Sequence, residues 1–306
     1  MAKVYTAKAI AEDYKAYKLL YLMLLPALAY TVLFNYYPMY GTIISFKNFV
    51  PGKGIWGSDW VGFKHFTDFF GSFYFSRVVI NTFLISFWSL VFGFPAPILL
   101  ALMFNEIRGR VYKRVTQTIS YLPYFVSLVV ICSLIKDFTA ERGPIGQLAI
   151  LLGGPPQSLI SNAKNFYAIY VGSHIWQYLG FGSIIYLAAI SMVDMELYDA
   201  ALIDGAGRFR RIWSVTLPAI IPTIVIMLIL TLGSIMNVGY EKIILLYTAS
   251  IYETSDVIST FVYRKGLIEA NPSYATAVGL FNSVINCVFL FVANWVCGHV
   301  SENSLW

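Results

Sequence analysis

The chain has 306 residues, 58% hydrophobic and 12% charged, with a net charge of +5. A soluble domain carries about 25% charged residues, so these values and a mean hydropathy of +0.68 exclude a soluble globular protein and a disordered chain alike. The charge is too small for a nucleic-acid footprint, and an aromatic content of 17% suits rings at membrane–water interfaces.

Charge-free intervals place the helices, because a charge at the centre of a spanning helix costs about 2.5–3.5 kcal/mol on insertion scales. In chain order the expected spans are Leu19–Tyr37, Val78–Phe104, Val115–Ile135, Phe166–Val193, Leu217–Val238 and Tyr274–Val296. At about 1.5 Å per residue each can cross a hydrocarbon core of about 30 Å. The first is too long for a signal-peptide core and no small-residue cleavage site follows it, so it is expected to be retained. Six spans put both termini on one side. Lys and Arg divide almost evenly between the two sides, but one set lies in short segments close to span ends: Lys3, Lys8, Lys15 and Lys18, then Arg108, Arg110, Lys113 and Arg114, then Arg208, Arg210 and Arg211. That density favours an inside N-terminus, and the cluster at 108–114 reads as an anchor to membrane lipid, generic or headgroup-specific. The opposite loops carry the breakers Pro51-Gly52-Lys53-Gly54 and Gly153-Gly154-Pro155-Pro156, with a short helix expected at Ile145–Leu152. The organisation follows: a tail at 1–18, the first span and its loop at 19–75, a five-helix body at 76–297 and a tail at 298–306.

The most informative stretch lies between spans four and five, residues 194–217. It reads as two short helices with a break. Leu197, Ala200 and Ala201 share one face of the first. Gly205 and Gly207 punctuate its end, both tolerant of positive φ. Phe209, Ile212 and Trp213 repeat the spacing on the second, and Pro218 marks where a new helix can start. The Ala200/Ala201/Gly205/Ala206 surface is small and flat, open to another protein's backbone. A helix–break–helix fastened to two spans can transmit force as a rigid body; the plainer reading is a juxtamembrane helix with three interfacial arginines.

The run Asp199-Ala200-Ala201-x-x-Asp204-Gly205-Ala206-Gly207, with Leu217-Pro218 downstream, resembles the EAA motif of the permease subunits of binding-protein-dependent ABC importers. Asn81-Thr82 resembles the usual opening of that family's transmembrane domain. Asn237-Val238-Gly239-Tyr240-Glu241, Tyr263-Arg264-Lys265-Gly266-Leu267 and Tyr274-Ala275-Thr276-Ala277-x-Gly279-Leu280 resemble its maltose-type branch, which imports oligosaccharides including fragments of complex polysaccharides. The resemblance implies an all-α integral membrane protein with six transmembrane helices in the type I importer permease (MetI-like) fold. It implies a bacterial inner-membrane location with both termini cytoplasmic, a second permease subunit in a heterodimer, a cytoplasmic ABC ATPase dimer and an extracytoplasmic solute-binding protein. Asp199, Ala200, Ala201, Asp204, Gly205, Ala206, Gly207, Leu217 and Pro218 take the ATPase-coupling role. The family usually has Glu where this chain has Asp199, which keeps the charge with a shorter reach.

No cofactor is expected on this chain; ATP and Mg belong to the partner ATPase. The sequence has no GxxxxGK[ST], HExxH, GxSxG or clustered His/Cys set, so neither a catalytic nor a metal site is expected. Cys132, Cys287 and Cys297 sit in apolar runs as free thiols. Candidate groups along a solute path are Asn237, Tyr240 and Glu241, expected at the outer end of span five, and Asn282 with Asn286 at i, i+4 in span six. The asparagines either join helices or line the path; Tyr240 either anchors the interface or stacks on a sugar. His174 is a proton-relay residue or a neutral helix contact, and Gly180, Gly182 and Ser183 are read as close-packing positions. Another small solute in the same machinery, or an ion-coupled secondary transporter, are the rival readings. The latter is disfavoured because His174 is the sole ionisable residue in the spans.

Overall fold

The computed structural model describes residues 16–300. The expectations for Lys3, Lys8, Lys15 and the extreme C-terminal tail lie outside the described residues. Among the described residues, four helical rods are long and apolar enough to cross a membrane: α1 (Lys18–Phe46), α3 (Phe75–Glu106), α9 (Arg208–Leu232) and α11, whose helix is Pro272–Val300. Two bent pairs supply the rest, and six spans result if each pair counts as one. A short antiparallel pair, β1 (Lys47–Asn48) with β2 (Asp59–Trp60), and α2 (Lys64–Phe70) lie between α1 and α3.

The third span departs from expectation. It is not one helix over Val115–Ile135 but α4 (Arg110–Phe125) and α5 (Leu128–Thr139), broken at Val126–Ser127, both extended. The pair, extended through α6 (Pro144–Leu151), bends by 101°. Pro123 has no N–H for the last turn of α4. The short helix expected near 145–152 is α6.

Three rods contain one wide π turn each, at Val32–Tyr36, Ser89–Gly93 and Ile212–Thr216, and in each a proline stands two residues later: Pro38, Pro95 and Pro218. Proline lacks the donor that would close the preceding turn, and its ring crowds the carbonyl four residues back. A widened turn relieves both, so these prolines sit inside continuous rods. Pro218 therefore does not start a new helix. The expected second short helix after Gly207 is the beginning of α9, which runs unbroken to Leu232 and stops six residues before the expected Val238.

The centre of the bundle is α7 (Phe166–Ser191), packed against α4 and the latter half of α3. Gly180 makes this possible: a Cβ there would lie 1.9 Å from the Ser120 carbonyl oxygen on α4. Gly182 faces Pro97, and Ser183 is buried with its hydroxyl donating to the Gly180 carbonyl, so all three expected packing positions are packing positions.

Candidate functional site

The segment between spans four and five folds from its own sequence signals. After α7 the chain turns through 73° into α8 (Met195–Ile203). Asp194 caps α8, its side chain accepting from the Glu196 N–H at 3.0 Å. Gly205 ends it at φ +75°. The Gly205 N–H donates to Leu202 and the Ala206 N–H to Ala201, the paired bonds of a Schellman stop, which needs a left-handed residue at the glycine. Gly207 instead has negative φ and an extended backbone, and leads into α9.

Asp199, Ala200, Asp204, Gly205 and Pro218 are exposed, Ala201 and Leu217 half-buried, and Ala206 buried. The expected small-residue surface is thus divided: Ala200 and Gly205 face out, and Ala206 is turned inward. Around it stand large apolar side chains in the open, Ile203 at 86% exposure, Phe209 at 82% and Trp213 at 69%. These exposed apolar side chains stand in the same segment as the exposed carboxylates of Asp199 and Asp204. The Tyr198 hydroxyl lies 2.9 Å from Thr216 Oγ1, tying α8 to the π turn of α9.

Beyond α9 the chain turns and enters α10 (Tyr240–Leu246). Asn237, Tyr240 and Glu241 therefore lie past the end of span five, on this return segment. Asn237, Asn282 and Asn286 meet. Asn237 Oδ1 accepts from the side-chain amides of Asn282 at 3.0 Å and Asn286 at 2.9 Å, and Asn286 Oδ1 accepts the Met236 N–H at 2.9 Å. The asparagines join helices, and the buried Asn282 Oδ1 has no hydrogen-bond partner among the described residues. Asn282 lines a cavity of about 620 Å³ together with Tyr240, Tyr263, Thr276 and Ser283. The rings of Tyr240 and Tyr263 stack at 5.8 Å and 25°. Asn237 lines a second cavity of about 300 Å³ with Tyr170, His174, Tyr178 and Ser234. His174 sits between the rings of Tyr170 and Tyr178, one turn away on either side on α7. Glu241 is exposed and lines neither cavity.

Sequence reasoning missed two features here. Lys242 on α10 is only 4% exposed; its ammonium donates to Gln177 at 3.4 Å and lies over the Tyr170 ring. Burial pushes its pKa down to about 8. Asp256, fully buried, accepts from Arg77 at 2.9 Å, from both terminal nitrogens of Arg264 at 3.2 and 2.8 Å, and from Thr260. Burial alone lowers the Arg264 pKa, but the hydrogen bond and charge of Asp256 outweigh it and raise it. The Asn81-Thr82 pair belongs to the same knot. Asn81 donates to the carbonyls of Glu253 and Asp256 and accepts from the Tyr167 hydroxyl, and Thr82 accepts the Ile258 N–H. Asn and Thr at the start of α3 thus satisfy buried backbone groups of the return segment.

Comparison with known proteins agrees with this architecture. Residues 93–300 match the family model described as binding-protein-dependent transport system inner membrane component. Protein LplB of Bacillus subtilis (strain 168) is 43% identical over 290 residues, covering 94% of this chain and 91% of that protein. The polygalacturonan/rhamnogalacturonan transport system permease protein YteP of the same organism is 40% identical, covering 94% and 90%. Among solved structures, a bacterial alginate ABC transporter in complex with an alginate pentasaccharide-bound periplasmic protein contains a chain that superposes with a TM-score of 0.87 at 41% identity, covering 96% of this chain and 99% of that one.

Proposed function

The chain belongs to the family of binding-protein-dependent transport system inner membrane components, and from that membership we propose that it passes oligosaccharides, acidic polysaccharide fragments among them, through the membrane as one half of a heterodimer. It is a transport subunit and not an enzyme; ATP, with Mg, is hydrolysed on a separate ATPase. The names of YteP and of the alginate transporter support the substrate class.

The observation that carries the coupling role is the bared α8–α9 corner. Asp199, Ala200, Asp204 and Gly205 stand exposed between Ile203, Phe209 and Trp213, on a helix fixed by its own cap and stop. This corner docks into the cytoplasmic ATPase, which places both termini in the cytoplasm. Closure of the ATPase dimer on ATP pushes α8, and the rods on either side of it carry the push into the bundle. The binding protein delivers sugar at the opposite end. Asn282, Thr276 and Ser283 line the larger cavity and supply polar groups for sugar hydroxyls, and the Tyr240–Tyr263 pair offers an apolar ring face. The first span supports the heterodimer: none of its residues from Lys18 to Tyr36 is buried, leaving an apolar rod for a second permease subunit and lipid to cover.

The test is uptake of labelled oligosaccharide into vesicles carrying the assembly, its ATPase and the binding protein. A thermal-shift screen of the cognate binding protein, against plant, host and algal oligosaccharides, chooses the sugar. Uptake is expected to need ATP and to survive collapse of the proton gradient. Uptake that follows the gradient with ATP held constant would replace this reading with an ion-coupled one.

A further inference from the structure

We propose that Tyr198 and Thr216 form a latch that passes the displacement of α8 to span five through the π turn at its base. The inference rests on the reading of the α8–α9 corner as the ATPase-coupling element.

Tyr198 is the one half-buried side chain in the otherwise exposed run Asp194–Ala200. Its hydroxyl reaches across to α9 and meets Thr216 Oγ1 at 2.9 Å. Thr216 is 1% exposed, so this contact is shielded from competing water. A helical Ser or Thr usually bonds back to the carbonyl one turn earlier. On the same rod Ser214 does so to Arg210 and Thr231 to Met227, each at 2.7 Å. The Thr216 hydroxyl is spent instead on the coupling helix.

The place of the contact matters more than its strength. Ile212–Thr216 is the π turn of α9, closed by a bond from the Leu217 N–H to the Ile212 carbonyl. Pro218 follows and offers no donor. Such turns recur at working sites. The latch is fastened to the π turn at the base of span five. The covalent route from α8 to the same point runs through the open Gly205–Gly207 corner, where a displacement of α8 can be absorbed. The hydroxyl pair bridges that slack. Tyr198 and Thr216 are positioning residues: they bind neither ATP nor sugar.

The experiment uses the whole assembly in vesicles, with Cys132, Cys287 and Cys297 replaced and a cysteine introduced at Ser234, which lines the smaller cavity. Its labelling rate by a membrane-impermeant maleimide is read with and without a non-hydrolysable ATP analogue. The parent is expected to change its rate several-fold on nucleotide binding. Tyr198→Phe and Thr216→Val should each keep the ATPase bound but cut that response to less than about a third. Thr216→Ser keeps the hydroxyl and the response, and the double variant is no worse than either single one. A Tyr198→Phe assembly that responds like the parent, or a double variant that loses the product of the two single losses, overturns the latch. A parent that holds the ATPase yet shows no response overturns the coupling reading itself, and the latch with it.

Discussion

Asp256 and Asp199 put the same side chain at opposite ends of the bundle under opposite conditions. Asp256 is fully buried; two arginines and a threonine close over its carboxylate, and the Asn81 side chain donates to its main-chain carbonyl. Asp199 is exposed on a helix whose neighbours are bare apolar side chains. One end is finished: its buried carboxylate is satisfied from within the chain. The other is unfinished, folded by local capping and stop signals and left for a second protein to complete. Substitutions at the finished end should therefore act on stability, and those at the open end on partnership at nearly constant stability.

The largest effect is expected at Asp256. Asp256→Ala leaves two guanidinium groups facing each other beside a buried threonine, and removing one partner of a buried charge group costs about 3–5 kcal/mol. Thermal unfolding of the detergent-purified assembly reads it directly. A melting point within a degree or two of wild type would show that the finished end does not hold the fold. The next effect belongs to the middle of the bundle. Gly180→Ala places a methyl 1.9 Å from the Ser120 carbonyl oxygen, so α4 and α7 must part, at about 1–3 kcal/mol for overpacking. Gly207→Ala, with nothing within 4 Å of the new methyl and a negative φ, is the matched control and should leave the melting point unchanged.

Gly205 lies at the border between the two behaviours. Its φ of +75° costs any side chain strain of about 1–2 kcal/mol, least for Asn, while no neighbour lies within 4 Å to clash. Gly205→Asn is expected to melt close to wild type and to co-purify with the ATPase. Gly205→Trp is expected to insert in the membrane and melt only slightly lower, but to lose the ATPase. Normal co-purification of the tryptophan variant would break the docking assignment and leave the α8–α9 corner without a function.

The parts legible in the sequence share one cause. Long charge-free runs, the spacing of Asp199 to Pro218 and the glycines at 180 and 205 are local signals, readable without knowing what packs where. The candidate spans and the first helix of the coupling loop with its glycine stop followed from them. The fate of Pro218 did not. A proline after a polar segment reads as a helix start, and only the π turn before it shows the rod passing straight through. The break at Val126–Ser127 was hidden for the converse reason, since no charge interrupts the run from Val115 to Ile135 and a charge-free run of that length reads as one helix. Asp256 was invisible because its partners Arg77 and Arg264 are 179 and 8 residues away, and charge placed between spans reads as solvated loop. The asparagine cluster was half legible. The i, i+4 pair of Asn282 and Asn286 announced a shared face, but its junction with Asn237 depends on α9 ending at Leu232, short of the expected boundary.

The smallest change in stability with a measurable change in function is expected at Asp199. The side chain is exposed, and the structure gives it no intramolecular ion pair among the described residues, so replacing it should move stability by no more than about 0.5 kcal/mol. Its value then lies in what it presents to the ATPase. Asp199→Glu lengthens the reach by one methylene and keeps the charge, restoring the residue usual at this place in the motif. Asp199→Lys reverses the charge with the same backbone. If the carboxylate meets a complementary group across the interface, labelled-oligosaccharide uptake should stay near wild type in the glutamate variant and fall several-fold in the lysine variant, with equal amounts of both in the membrane. Uptake that is equal in the two would remove the acid from the coupling step. The docking energy would then rest on the apolar side chains at 203, 209 and 213 alone.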